Sequence, residues 1–255
     1  MRISTGAACY GTPNLDNYLL ASADRVIWRV GSDAVCTTQL GEGHLIGVAA
    51  GEGVQTGELA SFSAVRVLAK LFGPTIPRKP QRVLLRYLCR AHDALFAQAT
   101  ESGQVLGTSI AVLWSPVLGE LAWAQVGDCR IVRLRDGRVS QLSIEHTRQA
   151  FAQRSGRSAK VDADAVIQRF IQGSAGLGDD AALHLESGLD VGHEVMARGD
   201  RYLLCSAPVW RSLEVEQLRQ YLGEATAQRA ADRCVTSAYR GGHRGCLTAA
   251  VLFTD

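Results

Sequence analysis

Cysteine, serine and histidine, the side chains that most often carry covalent catalysis, form no recognisable catalytic pattern in this sequence. No Ser or Cys has a His/Asp arrangement that resembles a triad. Cys205 and Arg211 have the spacing of a C-x5-R loop, in which a cysteine attacks a bound phosphate. However, the apolar stretch around Cys205 and the proline at 208 do not supply the free N–H groups of a glycine-rich phosphate nest. We interpret the spacing as coincidence.

The cysteines also bear on cellular location. There are seven, an odd number, dispersed along the chain without a CxxC pair, which is typical of reduced thiols, several of them in the core. The N-terminus has no basic region followed by an apolar core, and no run approaches the roughly 18 apolar residues of a membrane span. We expect a cytoplasmic protein without a membrane span.

Composition limits the class of partner. The net charge is +2 and aromatic residues make up 6% of the chain, so neither a basic stripe nor an aromatic platform for bases is indicated. We therefore expect no nucleic-acid partner. A length of 255 residues is enough for one large domain with a substantial core, and we predict a single domain over 1–255.

The elements that must position any site are clearest in the centre of the chain. Four apolar or alternating segments follow one another there, and Gly or Pro lies in each break between them. Asp136-Gly137 is a strong two-residue hairpin turn. We predict a continuous antiparallel meander, whose strands are 109–114, 120–126, 130–135 and 138–142.

The rest of the chain supplies further strands and two groups of helices. Strands are indicated at 17–23, 25–30, 44–50, 201–206 and 247–253, the first three near one edge of a sheet. Helical periodicity covers 57–72, 83–99, 212–222 and 224–240. The polar segment 146–165 is the most loop-like part of the chain, and mobility is expected there. Strand groups with helix pairs between them predict an α+β fold of two packed sheets covered on both outer faces.

Several short motifs occur in the order and spacing of the metal-dependent PPM-type (type 2C) Ser/Thr protein phosphatases. GTS at 107–109, VGDCR at 126–130, RDGR at 135–138 and QLSIEHT at 141–147 are similar to the central strands of that family. The chain resembles this family from Gly6 to Phe253. The resemblance implies a four-layer α-β-β-α sandwich, in which two antiparallel sheets are flanked by helix pairs.

Members of that family hydrolyse phosphoserine and phosphothreonine with two divalent ions, which a ring of carboxylates holds. In the matching motifs Asn14 and Asp16 are kept, but the arginine that binds the substrate phosphate corresponds to Gly11. The aspartate that bridges the two ions and two further carboxylates are replaced by Ala or Gly. By this resemblance the degenerate metal-site positions are Asp16, Ala50, Gly51, Ala207 and Gly245.

One further acidic position is retained. Asp128 matches the aspartate that the family associates with an accessory metal, and Arg130 beside it can hold a neighbouring loop. If the chain were active, Mn²⁺ or Mg²⁺ would be held by Asp16, the Gly51 carbonyl and Asp128, with Glu52 as a compensating residue. One carboxylate and one carbonyl cannot hold two adjacent divalent ions, so we expect no catalytic residue and no cofactor.

These inferences favour a catalytically inactive PPM-type protein, a pseudophosphatase, that acts by protein binding. By analogy its partner is a Ser/Thr kinase, a phosphoprotein, or a signalling or secretion assembly that they control. Two alternatives stay open: a divergent Mn²⁺- or Mg²⁺-dependent protein Ser/Thr phosphatase, and a metal-free phosphoprotein binder that uses arginines of the cleft. A zinc site at His243 and Cys246, near Asp16, is a further minor alternative.

Overall fold

The computed structural model describes most of the chain, and every structural statement below concerns these parts. They are residues 1–11, 13–30, 33–37, 43–53, 55–73, 78–144, 146–147, 171–173, 189–243 and 245–255. The segment expected to be loop-like, 146–165, therefore lies outside the described residues apart from its first two positions.

The described residues form thirteen strands and five helices. The strands are β1 (Ile3–Tyr10), β2 (Asn17–Ala21), β3 (Val26–Val30), β4 (Asp33–Thr37), β5 (His44–Glu52), β6 (Leu106–Ser115), β7 (Glu120–Val126), β8 (Arg130–Arg135), β9 (Arg138–Gln141), β10 (Ile171–Gly173), β11 (Asp190–Val195), β12 (Arg201–Cys205) and β13 (Leu247–Thr254). The helices are α1 (Gly57–Leu71), α2 (Pro80–Ser102), α3 (Ala207–Arg211), α4 (Val215–Leu222) and α5 (Ala227–Arg240).

The strands make two antiparallel sheets. One has five strands in the order β1-β13-β12-β8-β9, and the other has eight, in the order β11-β7-β6-β5-β2-β3-β4, with β10 also paired to β6. Side chains on opposite faces of one strand enter different cores: Leu203 of β12 faces the helices, whereas Tyr202 and Leu204 face the other sheet. Because successive side chains of a strand point to opposite faces of the sheet, one strand contributes to two separate cores.

Three apolar clusters fill the spaces between the layers. The first joins α1 and α2 to the eight-stranded sheet and includes Leu68, Leu88 and Trp114. The second lies between the two sheets, and the third joins the five-stranded sheet to α3, α4 and α5. The expected α+β, four-layer α-β-β-α sandwich is confirmed. Each fully buried leucine contributes about 1.5–3 kcal/mol to the hydrophobic stabilisation of these layers.

The predicted continuous meander is wrong at its middle. β6 and β7 form a hairpin in the eight-stranded sheet, in which Ile110 pairs with Val126, but β8 and β9 belong to the five-stranded sheet. The chain passes from one sheet to the other at 127–129. Gly127 has φ of 93°, and a Cβ there would lie 2.2 Å from the Ser109 hydroxyl oxygen, so the crossing requires glycine.

The helices lie where periodicity placed them, with shifted ends. α2 starts at Pro80 and ends at Ser102, three residues beyond the prediction on each side, and the apolar side chains that follow its helical period, Leu84, Leu88, Ala91 and Leu95, are buried. The predicted helix 212–222 begins later, at Val215, and is preceded by the short α3. Pro208 lies in the first turn of α3, where a missing N–H costs nothing. In the described parts of the chain no helix combines the length and apolarity needed to cross a bilayer.

Candidate functional site

A cleft forms where several strand ends meet. Asp16 directly precedes β2, Glu52 ends β5, and Asp128 lies in the crossing that follows β7. Thr248, on β13, and Ser206, just after β12, lower the pKa of Asp16, and both Asp16 and Asp128 raise the pKa of Glu52. The fold thus brings the three acidic residues singled out from sequence into one electrostatic environment.

Asp16 is the most deeply buried of these carboxylates, at 3% exposure. Burial raises its pKa to about 6, against the lowering effect of hydrogen bonds from Thr248 and Ser206. Its Oδ2 atom is buried without a hydrogen-bond partner among the described residues. Arg29 fixes the adjoining loop by donating from Nε to the Asp16 carbonyl at 3.0 Å and from Nη2 to the Asn14 carbonyl at 2.7 Å.

Glu52 is half-buried at the end of a strand. Its Oε1 lies 3.4 Å from the Ser109 hydroxyl. Burial, followed by the negative charges of Asp128 and Asp16, raises the pKa of Glu52 to about 7, while Arg211 lowers it. An ordinary solvated loop glutamate has no such environment, so Glu52 is a genuine member of the cleft.

The Asp128 carboxylate is paired with a guanidinium. Arg211 Nη2 lies 3.4 Å from Asp128 Oδ2, and the two side chains are 37% and 8% exposed. Trp210 donates its indole N–H to the Asp128 carbonyl at 2.9 Å. The Arg130 guanidinium lies 3.6 Å from the centroid of the Trp210 ring, and that of Arg211 lies 5.1 Å from it. Two cations thus flank one indole next to Asp128.

Sequence reasoning missed Trp210 and the role of Arg211. Both residues lie on α3 or its end, a helix that the pattern did not predict, because five residues are too few for a periodic signal. Arg211 drew attention only through its spacing from Cys205. That cysteine is fully buried in the cluster between the five-stranded sheet and the helices, which agrees with coincidence.

The positions that resemble lost ligands carry no side-chain oxygen. Ala50 is 8% and Ala207 is 5% exposed, and Gly245 is exposed to solvent. Gly11 lies against Cys246 and Asn14, so the cleft has no arginine there. Gly51 is explained by packing alone, since a Cβ at this position would lie 2.1 Å from the Gly57 carbonyl oxygen at the start of α1.

This set of donors does not fit a pair of divalent ions. Among the described residues, no three His, Cys, Asp or Glu side chains converge closely enough to hold a metal. The orphaned Asp16 oxygen could accept one bond to a cation, but Asp128 is already matched by a guanidinium. Water can supply many of the ligands of such ions, but two adjacent divalent ions also need several carboxylates between them, and the described part of the cleft offers no cluster of three.

The zinc alternative has no better support. Cys246 Sγ accepts the Leu15 N–H at 3.0 Å and lies 3.6 Å from the Pro13 carbonyl, so the thiol holds the loop before β2. Burial raises its pKa, which disfavours the thiolate that zinc requires. His243 is not grouped with Cys246 and Asp16 in any metal-competent triplet among the residues described.

Comparison with known proteins gives different results for the sequence and for the fold. The sequence matches no protein-family model and no curated protein. The fold is similar to that of the serine/threonine phosphatase PstP/Ppp of Mycobacterium tuberculosis, with a TM-score of 0.77 and 21% identity over 100% of both chains; a further structure of PstP contains two manganese ions.

Two other solved structures carry the same fold. Stp1, a serine/threonine phosphatase from Staphylococcus aureus, has a TM-score of 0.79 and 15% identity over 100% of this chain and 96% of its own. PppA, a key regulatory component of the T6SS in Pseudomonas aeruginosa, has a TM-score of 0.69 and 19% identity over 100% of both chains. The chain therefore has the fold of the PPM-type Ser/Thr phosphatases.

Proposed function

We propose that the chain is a catalytically inactive PPM-type phosphatase-like protein, a pseudophosphatase, that works as a single domain over 1–255 and acts by binding another protein. The chemistry of the cleft supports this proposal: Ala50, Ala207 and Gly245 stand where the resemblance expects metal ligands, and the Arg211 guanidinium lies 3.4 Å from Asp128, one of the acidic residues that remain. The guanidinium of Arg211 offsets the negative charge of Asp128, as a bound metal ion would, but it does not activate a water molecule for attack.

The partner follows by analogy with the proteins that share this fold. PstP/Ppp and Stp1 are serine/threonine phosphatases, and PppA is a regulatory component of a secretion system. We therefore place this chain in Ser/Thr phosphorylation signalling, with a kinase, a phosphoprotein, or an assembly controlled by them as its partner. A cytoplasmic location accords with the lack of a disulfide among the cysteines whose side chains the structure describes, which are Cys9, Cys89, Cys129, Cys205, Cys234 and Cys246.

The decisive experiment measures turnover and metal together. The purified chain is assayed on an aryl phosphate and on a phosphothreonine peptide with excess Mn²⁺, with an active PPM phosphatase in parallel, and its metal content and melting temperature are determined. We expect no turnover, no stoichiometric metal and no shift of the melting temperature with Mn²⁺. Turnover that disappears in Asp16→Asn would overturn the proposal.

One observation favours a second candidate, the divergent phosphatase. Asp16, Glu52 and Asp128 share one cleft, and Asp16 has an unpaired oxygen. In this candidate Asp16, the Gly51 carbonyl and Asp128 would hold Mn²⁺ or Mg²⁺, and Glu52 would replace a lost ligand. It predicts Mn²⁺ binding that Glu52→Gln weakens, whereas Glu101→Gln, an exposed change at the end of α2, leaves binding unaltered.

The same preparation tests the metal-free phosphoprotein binder. Saturable binding of a phosphopeptide but not of its unphosphorylated form, without turnover, would identify it. Binding should then require Arg211 or Arg130, whose guanidinium groups both lie close to the Trp210 ring.

A further inference from the structure

A basic concave surface lies away from the cleft, at the start of α2. Two adjoining cavities of about 600 and 490 Å³ open there and share three lining residues, Arg78, Lys79 and Arg82. Arg86, one helical turn beyond Arg82, lines the second cavity. We call the surface formed by Arg78, Lys79, Arg82 and Arg86 the α2 basic groove; all four side chains are exposed.

None of these four cations has an internal counter-charge in the described parts of the chain. No described carboxylate lies within 4 Å of them, whereas Arg90 on the same helix lies 3.8 Å from Asp93. Glu120 lines the first cavity without forming an ion pair. Four positive charges that no described carboxylate pairs with, placed around two concavities, favour negative charge supplied from outside.

The positive charges of the groove also lower the stability of α2, the helix on which Arg82 and Arg86 lie. α2 has no acidic residue in its first turn, although the N-terminal end of a helix favours negative charge. Arg82 and Arg86 are four residues apart, a spacing at which like charges repel each other and destabilise a helix. Positive charges placed where they destabilise a helix, without a compensating contact in the described parts of the chain, are expected at functional sites.

The walls of the groove indicate what kind of anion it accommodates. The second cavity contains Val83, Leu85 and Cys89, which give it an apolar lining, and Val191, Gly192 and His193 of β11 line the first. β11 ends the order of the described strands in its sheet, so the first cavity lies at an edge of that sheet. Charge, apolar side chains and a strand edge within one groove match a polypeptide better than a flat lipid surface or a phosphate backbone.

We propose that the α2 basic groove binds an acidic segment of a partner protein. This inference rests on the protein-binding part of the proposed function and not on the state of the cleft. Glutamate and aspartate side chains of the segment would pair with the groove cations, while interspersed apolar residues pack on Val83 and Leu85. Charge complementarity of this kind sets partner choice and association rate, and weakens with salt.

The test uses the full chain and a labelled glutamate- and aspartate-rich peptide with interspersed leucines, followed by fluorescence anisotropy. We expect saturable binding that weakens as salt is raised and no binding of the same peptide with lysine in place of its acidic residues. The double variant Arg82→Glu and Arg86→Glu should lose affinity by about tenfold or more. Its melting temperature should be kept or rise slightly, because a negative side chain at position 82 suits the N-terminal end of the helix, while like charges at positions 82 and 86 repel each other in both chains.

The matched control changes the same charge elsewhere. Arg138→Glu with Arg198→Glu alters two exposed arginines of the five-stranded sheet region that form no ion pair with a described carboxylate. Affinity within about twofold of the unmodified chain is expected for this control. An equal loss in both double variants, no binding of the acidic peptide, or tighter Arg82-dependent binding of a DNA oligonucleotide or phosphatidylserine vesicles would overturn the proposal. Because none of these readouts involves Mn²⁺ or turnover, the cleft proposal and the groove proposal can fail separately.

Discussion

At the scale of single residues, burial and charge decide how the cleft behaves without metal. Asp16 is almost completely buried and keeps one oxygen unpaired, while Asp128 has Arg211 at 3.4 Å. The motif resemblance predicted that Asp16 and Asp128 are retained and that other ligand positions carry Ala or Gly. The partner of Asp128 was not, because Arg211 is 83 positions away in sequence and only folding brings it there.

The first residue-scale prediction concerns pH. Burial raises the pKa of Asp16 from 3.8 to about 6, so the folded chain holds this proton more tightly than the unfolded chain. The stability that the protonated Asp16 contributes to the folded state is present below about pH 4 and is lost as the pH rises through about 6. Asp16→Asn should be more stable than the unmodified chain at pH 8, by at most about 3 kcal/mol, and nearly equal at pH 4.

Urea unfolding at both pH values measures this difference. Glu101→Gln, which removes an exposed carboxylate, should show no such pH-dependent gain. A gain of equal size at pH 4 and pH 8 would mean that the ionisation of Asp16 is not its cause.

The second residue-scale prediction concerns Arg211. Arg211→Met leaves the Asp128 carboxylate, 8% exposed, without this counter-charge, and we expect a loss of about 1–2 kcal/mol in the free energy of unfolding. Arg211→Lys keeps the charge but not the planar group beside Trp210, so its loss should be smaller. Unfolding by urea at neutral pH, which adds no guanidinium ion, compares the free energies of unfolding of the three chains. Equal stability of all three would show that the pair contributes nothing.

At the scale of elements, local pattern predicted most strands and helices but not which sheet each strand joins. The hairpins β6–β7 and β8–β9 have clear turn signals, yet the crossing between them depends on the fit of Gly127 against Ser109 in the folded chain. β1, β4 and β11 were missed for the same reason, because each is ordered by its pairing in the sheet rather than by strong alternation of its own.

The element-scale prediction compares two glycines that both have positive φ. Gly127→Ala places a Cβ 2.2 Å from the Ser109 hydroxyl in the buried crossing, whereas a Cβ at Gly137, in the β8–β9 turn, meets nothing within 4 Å. We expect a loss of about 2–4 kcal/mol for Gly127→Ala and about 1 kcal/mol for Gly137→Ala. Similar losses in urea unfolding would mean that the crossing is not sterically constrained.

At the scale of the whole molecule, the two sheets share one apolar interior. Residues from both, among them Ile46, Val48, Tyr202 and Leu252, form a single cluster between the layers. The four-layer arrangement was predictable because the motifs extend over nearly the full chain. The groove at α2 was not, since its first cavity forms only when the helix start meets the β7–β11 end of a sheet.

The whole-molecule prediction concerns cooperativity. Because neither sheet buries its inner face without the other, we expect the chain to unfold in one transition. Circular dichroism at the helix band and tryptophan fluorescence should give the same urea midpoint, since Trp114 lies under α1 and α2 and Trp210 at the other side of the sandwich. Separate midpoints would contradict a single folding unit.

The Arg211–Asp128 pair has a consequence for how the protein would sense its surroundings. A bound manganese ion can leave when its free concentration drops, but a guanidinium attached to the backbone cannot be diluted or chelated away. Under the proposed function, in which the cleft holds no metal, the charge that Arg211 places beside Asp128 is the same in a metal-starved cell and in a metal-replete one. A partner that recognises the cleft would respond to the abundance of the two proteins alone, and the complex would persist through changes in metal supply that silence metal-dependent phosphatases.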